Sequence, residues 1–114
     1  MKNLLIILMF VPLASFGQSE VNFVESGNKK SSLEDYYGAI ADYTKAIELD
    51  PDYANAYYNR GYTKYLLKDY YGAIADYSKV IELSTDDSGT YHSRGNAKGD
   101  LEDYDGAIAD YSKV

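Results

Sequence analysis

The sequence predicts an all-α chain made of repeated helical hairpins. One segment recurs three times at an offset of 34 residues, and within each copy the apolar residues fall at helical spacing. The residues that interrupt the pattern, Pro51 above all, mark where one helix must stop and the next can start.

The first element lies outside this pattern. Met1, Lys2 and Asn3 give a short positive start, Leu4 to Leu13 form an apolar run broken only by Pro12, and Ser15, Phe16 and Gly17 place small residues ahead of Gln18. That order is the layout of a cleaved secretory signal. A membrane anchor fits less well, because ten helical residues rise about 15 Å against a hydrocarbon core of about 30 Å. Residues 1–17 are therefore read as a leader and 18–114 as the mature domain, with copies at 20–53, 54–87 and a truncated 88–114.

The repeat is plain by inspection. Residues 36–47 and 70–81 agree at ten of twelve positions, and 104–114 make the third copy. In the second, Tyr70, Ala73, Ile74, Tyr77, Val80 and Ile81 line one face of a helix. Asp35, Asp69 and Asp103 precede these runs and can cap them. Upstream, Ala54, Tyr57, Tyr58, Gly61, Tyr62 and Tyr65 give a second helical pattern, in which Gly61 is expected to let a neighbouring backbone come close. Leu67 and Lys68 leave room only for a tight turn, while Pro51 ends one helix and Asp52 can open the next. The unit is two antiparallel helices. The first helix of the third copy is expected to be weak, because Gly89, Gly95 and Gly99 each cost about 1 kcal/mol against Ala.

Composition narrows the function. Residues 18–114 keep 10 of the 11 basic and all 18 acidic residues, a net charge of −8. Nucleic acid and anionic membrane surfaces are disfavoured partners, since both demand clustered cations. With no Cys the domain relies on packing, and fourteen Tyr against three Phe and no Trp supply apolar area with a polar tip.

A 34-residue helix–turn–helix period with Gly27, Gly61 and Gly95, with Ala39, Ala73 and Ala107, and with Tyr57 and Tyr77 resembles the tetratricopeptide repeat family. The turn proline is Pro51 in the first copy and Thr85 in the second. Three slots depart: the family's Trp position holds Phe23, Tyr57 and Tyr91; its Leu position holds Ser26, Arg60 and Arg94; its first-helix Tyr position holds Lys30, Lys64 and Lys98. The resemblance implies a right-handed α-solenoid whose first helices line a concave groove. The groove residues it implies here are Asn28, Asn55, Tyr58 and Asn59, then Tyr62, Tyr65, His92 and Asn96, with Val24, Glu25, Ser31 and Ser93 beside them. Tyr58, Tyr62 and Tyr65 form an aromatic ridge suited to protein contact. Family members that grip chaperone C-terminal carboxylates use two Asn and three cations. Asn28 and Asn59 match the amides, but Val24, Gly89 and Ser93 stand in the cation positions.

Chemistry is sparse. His92 is the only His and has no Cys to join it in a metal site. The Asp103–Asp105–Gly106 segment suggests a calcium loop, but Leu101 holds the first ligand position and Ser112 the place of the bidentate Glu. No catalytic, metal or cofactor site is assigned. The sequence reads as an exported, periplasmic or secreted scaffold that binds a peptide or protein. Alternatives are an accessory module of a longer enzyme or sensor, and a glycan-binding module. The apolar face of Ala107, Ile108, Tyr111 and Val114 resembles one that earlier copies bury, so residues 88–114 are expected to fray or self-associate.

The leader yields a direct expectation. Mass spectrometry of the exported protein should find a chain beginning at Gln18, and an intact Met1 on a membrane-held form would refute the assignment.

Overall fold

The computed structural model describes residues 20–84 and 87–114. The leader at 1–17, the cut before Gln18 and the turn position of Thr85 lie outside the described residues. Helix α1 is described over residues 20–32. It is followed by α2 (Tyr36–Leu49), α3 (Ala54–Leu66), α4 (Tyr70–Leu83), α5 (Ser88–Asp100) and α6 (Tyr104–Tyr111). Helix α3 packs on both α2 and α4, α5 on both α4 and α6, and α3 also touches α5. That is an all-α stack of hairpins.

The turn inside each hairpin spans the same three positions, Leu, then Glu or Lys, then Asp. Glu34, Lys68 and Glu102 adopt left-handed φ values of 64°, 63° and 64°. In the second copy Lys68 donates its amide to the Tyr65 carbonyl at 2.9 Å and Asp69 donates to Lys64 at 2.8 Å, which closes α3 with a Schellman pattern. The Asp69 carboxylate then accepts the Gly72 amide at 3.0 Å and opens α4. One residue thus ends one helix and begins the next, and Asp35 and Asp103 cap α2 and α6 likewise.

Between hairpins the expectation for Asp52 fails. Tyr53 is the N-cap of α3 and makes no side-chain cap bond. Asp50 instead accepts the Asp52 amide at 3.1 Å, and the Tyr57 hydroxyl donates to the Pro51 carbonyl at 2.9 Å. The Asx turn around Pro51 shapes the connection, and at the start of α3 the Ala56 amide donates to the Tyr53 carbonyl at 3.1 Å in place of a side-chain cap.

The core is built on small residues. Ala39, Ala46, Ala56, Ala73 and Ala97 are fully buried, which lets helices approach closely enough for Tyr43 and Tyr77 to fill the space between them. In α3 the buried residues are Ala56, Gly61 and Thr63, whereas the tyrosines of the expected apolar pattern are half-buried or exposed. The apolar spacing in α3 mixes two roles: Gly61 is buried and Tyr58 and Tyr65 pack against the core, while Tyr62 faces outward. Glycine does different work at different sites. A Cβ on Gly27 would stand 2.6 Å from the Tyr43 ring, but one on Gly99 would meet only Ala107 at 3.9 Å. The close neighbour of Gly61 is likewise the Tyr77 ring and Asp76, not another backbone.

Three buried carboxylates hold the hairpins. Asp42, Asp76 and Asp110 recur at the 34-residue period and are each about 5% exposed or less. Arg60 grips Asp76 through two bonds of 2.9 and 2.8 Å, and Lys64 adds an ion pair at 3.2 Å. Arg94 and Lys98 treat Asp110 the same way. In the first copy Ser26 donates to Asp42 at 2.6 Å and Lys30 pairs with it at 3.0 Å. The arginines also reach back one repeat: Arg60 donates to Thr44 at 3.2 Å and Arg94 to Ser78 at 3.1 Å. Each lies over a tyrosine ring three residues earlier, Arg60 on Tyr57 and Arg94 on Tyr91. Burial opposes the ionisation of Asp42 and Asp110. The hydrogen bonds and charges of Ser26 and Lys30, and of Arg94 and Lys98, outweigh it and hold both carboxyls below the ordinary value.

Three expectations follow in stability measurements. Gly99→Ala should stabilise the fold by up to about 1 kcal/mol, whereas Gly27→Ala should cost about 1–3 kcal/mol through overpacking against Tyr43; equal effects in a urea titration would contradict the packing described. Asp76→Ala strands Arg60 and Lys64 and should cost about 3 kcal/mol. For Asp42 and Asp110 the folded pKa is depressed, so their stabilisation is in place above about pH 4 and disappears as pH falls through the folded value. Melting temperatures measured from pH 7 down to 2 check this, and a flat profile would contradict it.

Candidate functional site

The first helices of the hairpins, α1, α3 and α5, share one side of the stack and carry most of the residues that open onto its cavities. A cavity of about 350 Å³ lies between α1 and α3, lined by Asn28, Ser31, Ser32, Tyr43, Asn59, Tyr62, Thr63 and Leu66. A second, of about 290 Å³, lies where α3 and α5 begin, against α4, and is lined by Ala54, Asn55, Tyr58, Val80, Asp87 and Gly89. A third, of about 40 Å³, lies between α3 and α5 among Tyr62, Tyr65, Tyr77, Ser93 and Asn96. Seven of the eight groove residues expected from sequence line one of these three. His92 does not; its ring stacks at 5.4 Å on Tyr111.

The aromatic ridge is not a free ridge. The Tyr58 ring packs on Tyr77 at 5.4 Å, and its hydroxyl bonds Ser93 at 3.0 Å. Tyr65 packs on Tyr70 at 5.4 Å and donates to Asp100 at 2.5 Å. The hydrogen bond to Asp100 pushes the Tyr65 phenol up to about 12. These two tyrosines join repeats two and three, and only Tyr62, 48% exposed, stands open. Val24 is also displaced from the expected groove. It is 4% exposed and packs in the core with Ala39 and Tyr43.

The two amides are committed to each other. Asn28 accepts from the Tyr43 hydroxyl at 2.6 Å and from the Asn59 amide at 3.1 Å, so the cavity floor is fixed before any ligand arrives. Tyr43 and Tyr77 were the residues missed as site residues, since their apolar stripe assigned them to the core. They are core by area yet line cavities by their edges. The signal available was the choice of Tyr over Phe at 43, 77 and 111, which leaves each hydroxyl to find a partner in the protein or in solvent.

The electrostatics are one-sided. No Lys or Arg lines any of the three cavities, and Asp87 lines one. Five of the ten cations after residue 17 are spent on the three buried Asp, leaving five against fifteen acids over the rest of residues 18–114. Among the described residues no group of three or more His, Asp or Glu gathers as metal ligands, and no helix is long and apolar enough to cross a membrane.

With this geometry in place, comparison with known proteins gives the class. Family models described as TPR repeat and tetratricopeptide repeat match residues 27–68, 54–87 and 88–114. The chain belongs to the tetratricopeptide repeat family. Among solved structures it is similar to the second TPR of Spaghetti (RPAP3) bound to the HSP90 peptide SRMEEVD, at 26% identity and a TM-score of 0.80 over 84% of this chain and 89% of that one. It is also similar to the Arabidopsis OM64 TPR domain, at 28% identity and 0.79 over 82% of this chain and 77% of that one. MamA matches at 26% identity and 0.82 over 83% of this chain, which spans only 56% of MamA. Comparison with curated proteins gave no match.

Proposed function

We propose that this chain is a non-catalytic interaction module that receives an extended peptide segment of a partner protein along α1, α3 and α5. The leader expected at residues 1–17 would place that partner outside the inner membrane. The observation that carries the reading is the row of three cavities, whose linings offer amides, hydroxyls and one exposed tyrosine but no cation. A neighbour in this fold holds a peptide ending in Glu-Glu-Val-Asp. Acidic peptides suit this chain poorly, because Val24, Gly89 and Ser93 put no charge where the family's carboxylate-gripping members carry cations, and Val24 is buried. An excess of acid elsewhere would repel such a ligand further. The favoured ligand is neutral or basic, held by amide and hydroxyl bonding on a preformed floor.

Selection from a displayed random-peptide library against the mature protein tests the reading. Neutral or basic sequences should emerge, and Tyr62→Ala or Asn55→Ala should weaken them about tenfold or more. Selection of peptides ending in acidic residues, or indifference to both substitutions, would refute it.

A further inference from the structure

The internal repeat states what belongs in the largest cavity. All five residues around the 40 Å³ cavity are counterparts, one period later, of residues around the 350 Å³ cavity. Asn28 corresponds to Tyr62, Ser31 to Tyr65, Tyr43 to Tyr77, Asn59 to Ser93 and Tyr62 to Asn96. Two of these exchanges, Asn59 to Ser93 and Tyr62 to Asn96, remove bulk. The cavity nevertheless shrinks nearly ninefold, and the bulk is added by the tyrosines that replace Asn28 and Ser31, beside Leu66 in the place of Ser32. At the second junction the chain supplies its own aromatic plug. The Tyr65 ring leans on Tyr70, and its hydroxyl is tied to Asp100.

At the first junction the surroundings repeat without the plug. Tyr36 holds the place of Tyr70, and among the described residues its ring has no aromatic partner. Leu66 stands where Asp100 would receive a hydroxyl, so a phenol is not required. The floor is rigid, because Tyr43, Asn28 and Asn59 are bonded together. That network uses the Asn28 oxygen and the Asn59 nitrogen. The Asn28 nitrogen, the Asn59 oxygen and the Ser31 hydroxyl have no hydrogen-bond partner among the described residues and rim the opening. Such a rim suits the main-chain amides of a peptide.

We infer that the cavity between α1 and α3 is a pocket for an aromatic side chain, phenylalanine or tyrosine, of a bound peptide, taking the place that Tyr65 fills in the next repeat. The inference rests on the peptide-binding reading above and names the side chain that anchors the ligand.

Titration of the 15N-labelled mature protein with N-acetyl-tyrosinamide and N-acetyl-phenylalaninamide tests it by NMR. Both should give saturable shifts at the side-chain amides of Asn28 and Asn59, with N-acetyl-leucinamide, N-acetyl-lysinamide and N-acetylglucosamine at least about tenfold weaker. Ser31→Tyr should remove the response while leaving the melting temperature equal or higher, because the same residue is accommodated at 65. Asn28→Tyr, the other counterpart exchange, guards against a folding defect in the first variant. Tyr71→Ala, exposed on α4 and lining none of the three cavities, should leave the response unchanged. No saturable shift, an equal response to leucine or the sugar, or full binding in a folded Ser31→Tyr protein would overturn the inference. If displayed peptides bind through Tyr62 and Asn55 but lack aromatic residues, the aromatic pocket fails alone. If the aromatic amides bind and no peptide does, the groove reading fails alone.

Discussion

The arrangement of hairpins depends on a carboxylate buried three times over. An isolated Asp in this setting would be strongly destabilising, since removing its charge from water costs several kcal/mol. Asp76 is tolerated because one guanidinium meets both of its oxygens and an ammonium meets one of them again. The same Arg60 then donates to Thr44 in the preceding hairpin. A single side chain therefore fixes the angle within a repeat and the step between repeats. Packing between alanines alone would leave helices free to slide, whereas a planar fork bonded on two sides sets a register.

The fold was legible because period, helical spacing and capping aspartates all indicated the same unit. The clamp was legible only in part. Arg60, Arg94, Lys64 and Lys98 stood out as departures from the family pattern, but nothing in their own slots says what they bind. Asp76 and Asp110 repeat with them at separations of 16 and 12 residues, and that joint recurrence was the available sign of contact. Its strength is limited by the first copy, where Ser26 replaces Arg and a hydroxyl does the binding. Asp52 misled for a different reason. Both Asp50 and Asp52 flank Pro51, and only geometry decides which of them turns its carboxylate onto the other's amide.

The site was legible as a side of the molecule and not as a set of shapes. Groove positions follow from which helix comes first in each hairpin, so seven of the eight were placed on cavities. Whether a tyrosine there is offered to a partner or used internally depends on the helix one repeat further on. Tyr58 and Tyr65 find Ser93 and Asp100 waiting, and Tyr62 meets Asn96 across the narrow cavity. Sequence spacing along α3 treats the three alike. The partner that each finds on α5 separates them.

The tyrosines at 43, 77 and 111 extend this reasoning to the second helices. The repeat fixes their rings, and the variable residue fifteen positions earlier decides the fate of each hydroxyl. Asn28 accepts from Tyr43 at 2.6 Å and Asn96 accepts from Tyr111 at 2.5 Å. Tyr62 occupies that position for Tyr77 and makes no such bond, so among the described residues the Tyr77 hydroxyl has no hydrogen-bond partner. Burial, with the neighbouring tyrosines and Asp76, pushes its phenol far above the ordinary value, which keeps the hydroxyl a neutral donor. Its oxygen is not sealed off, since no fully buried side-chain oxygen lacks a partner and Tyr77 lines the small cavity between α3 and α5. Two junctions of one repeat thus differ in kind: the first combines a bonded floor with an open pocket, the second a filled pocket with one hydroxyl still to be satisfied.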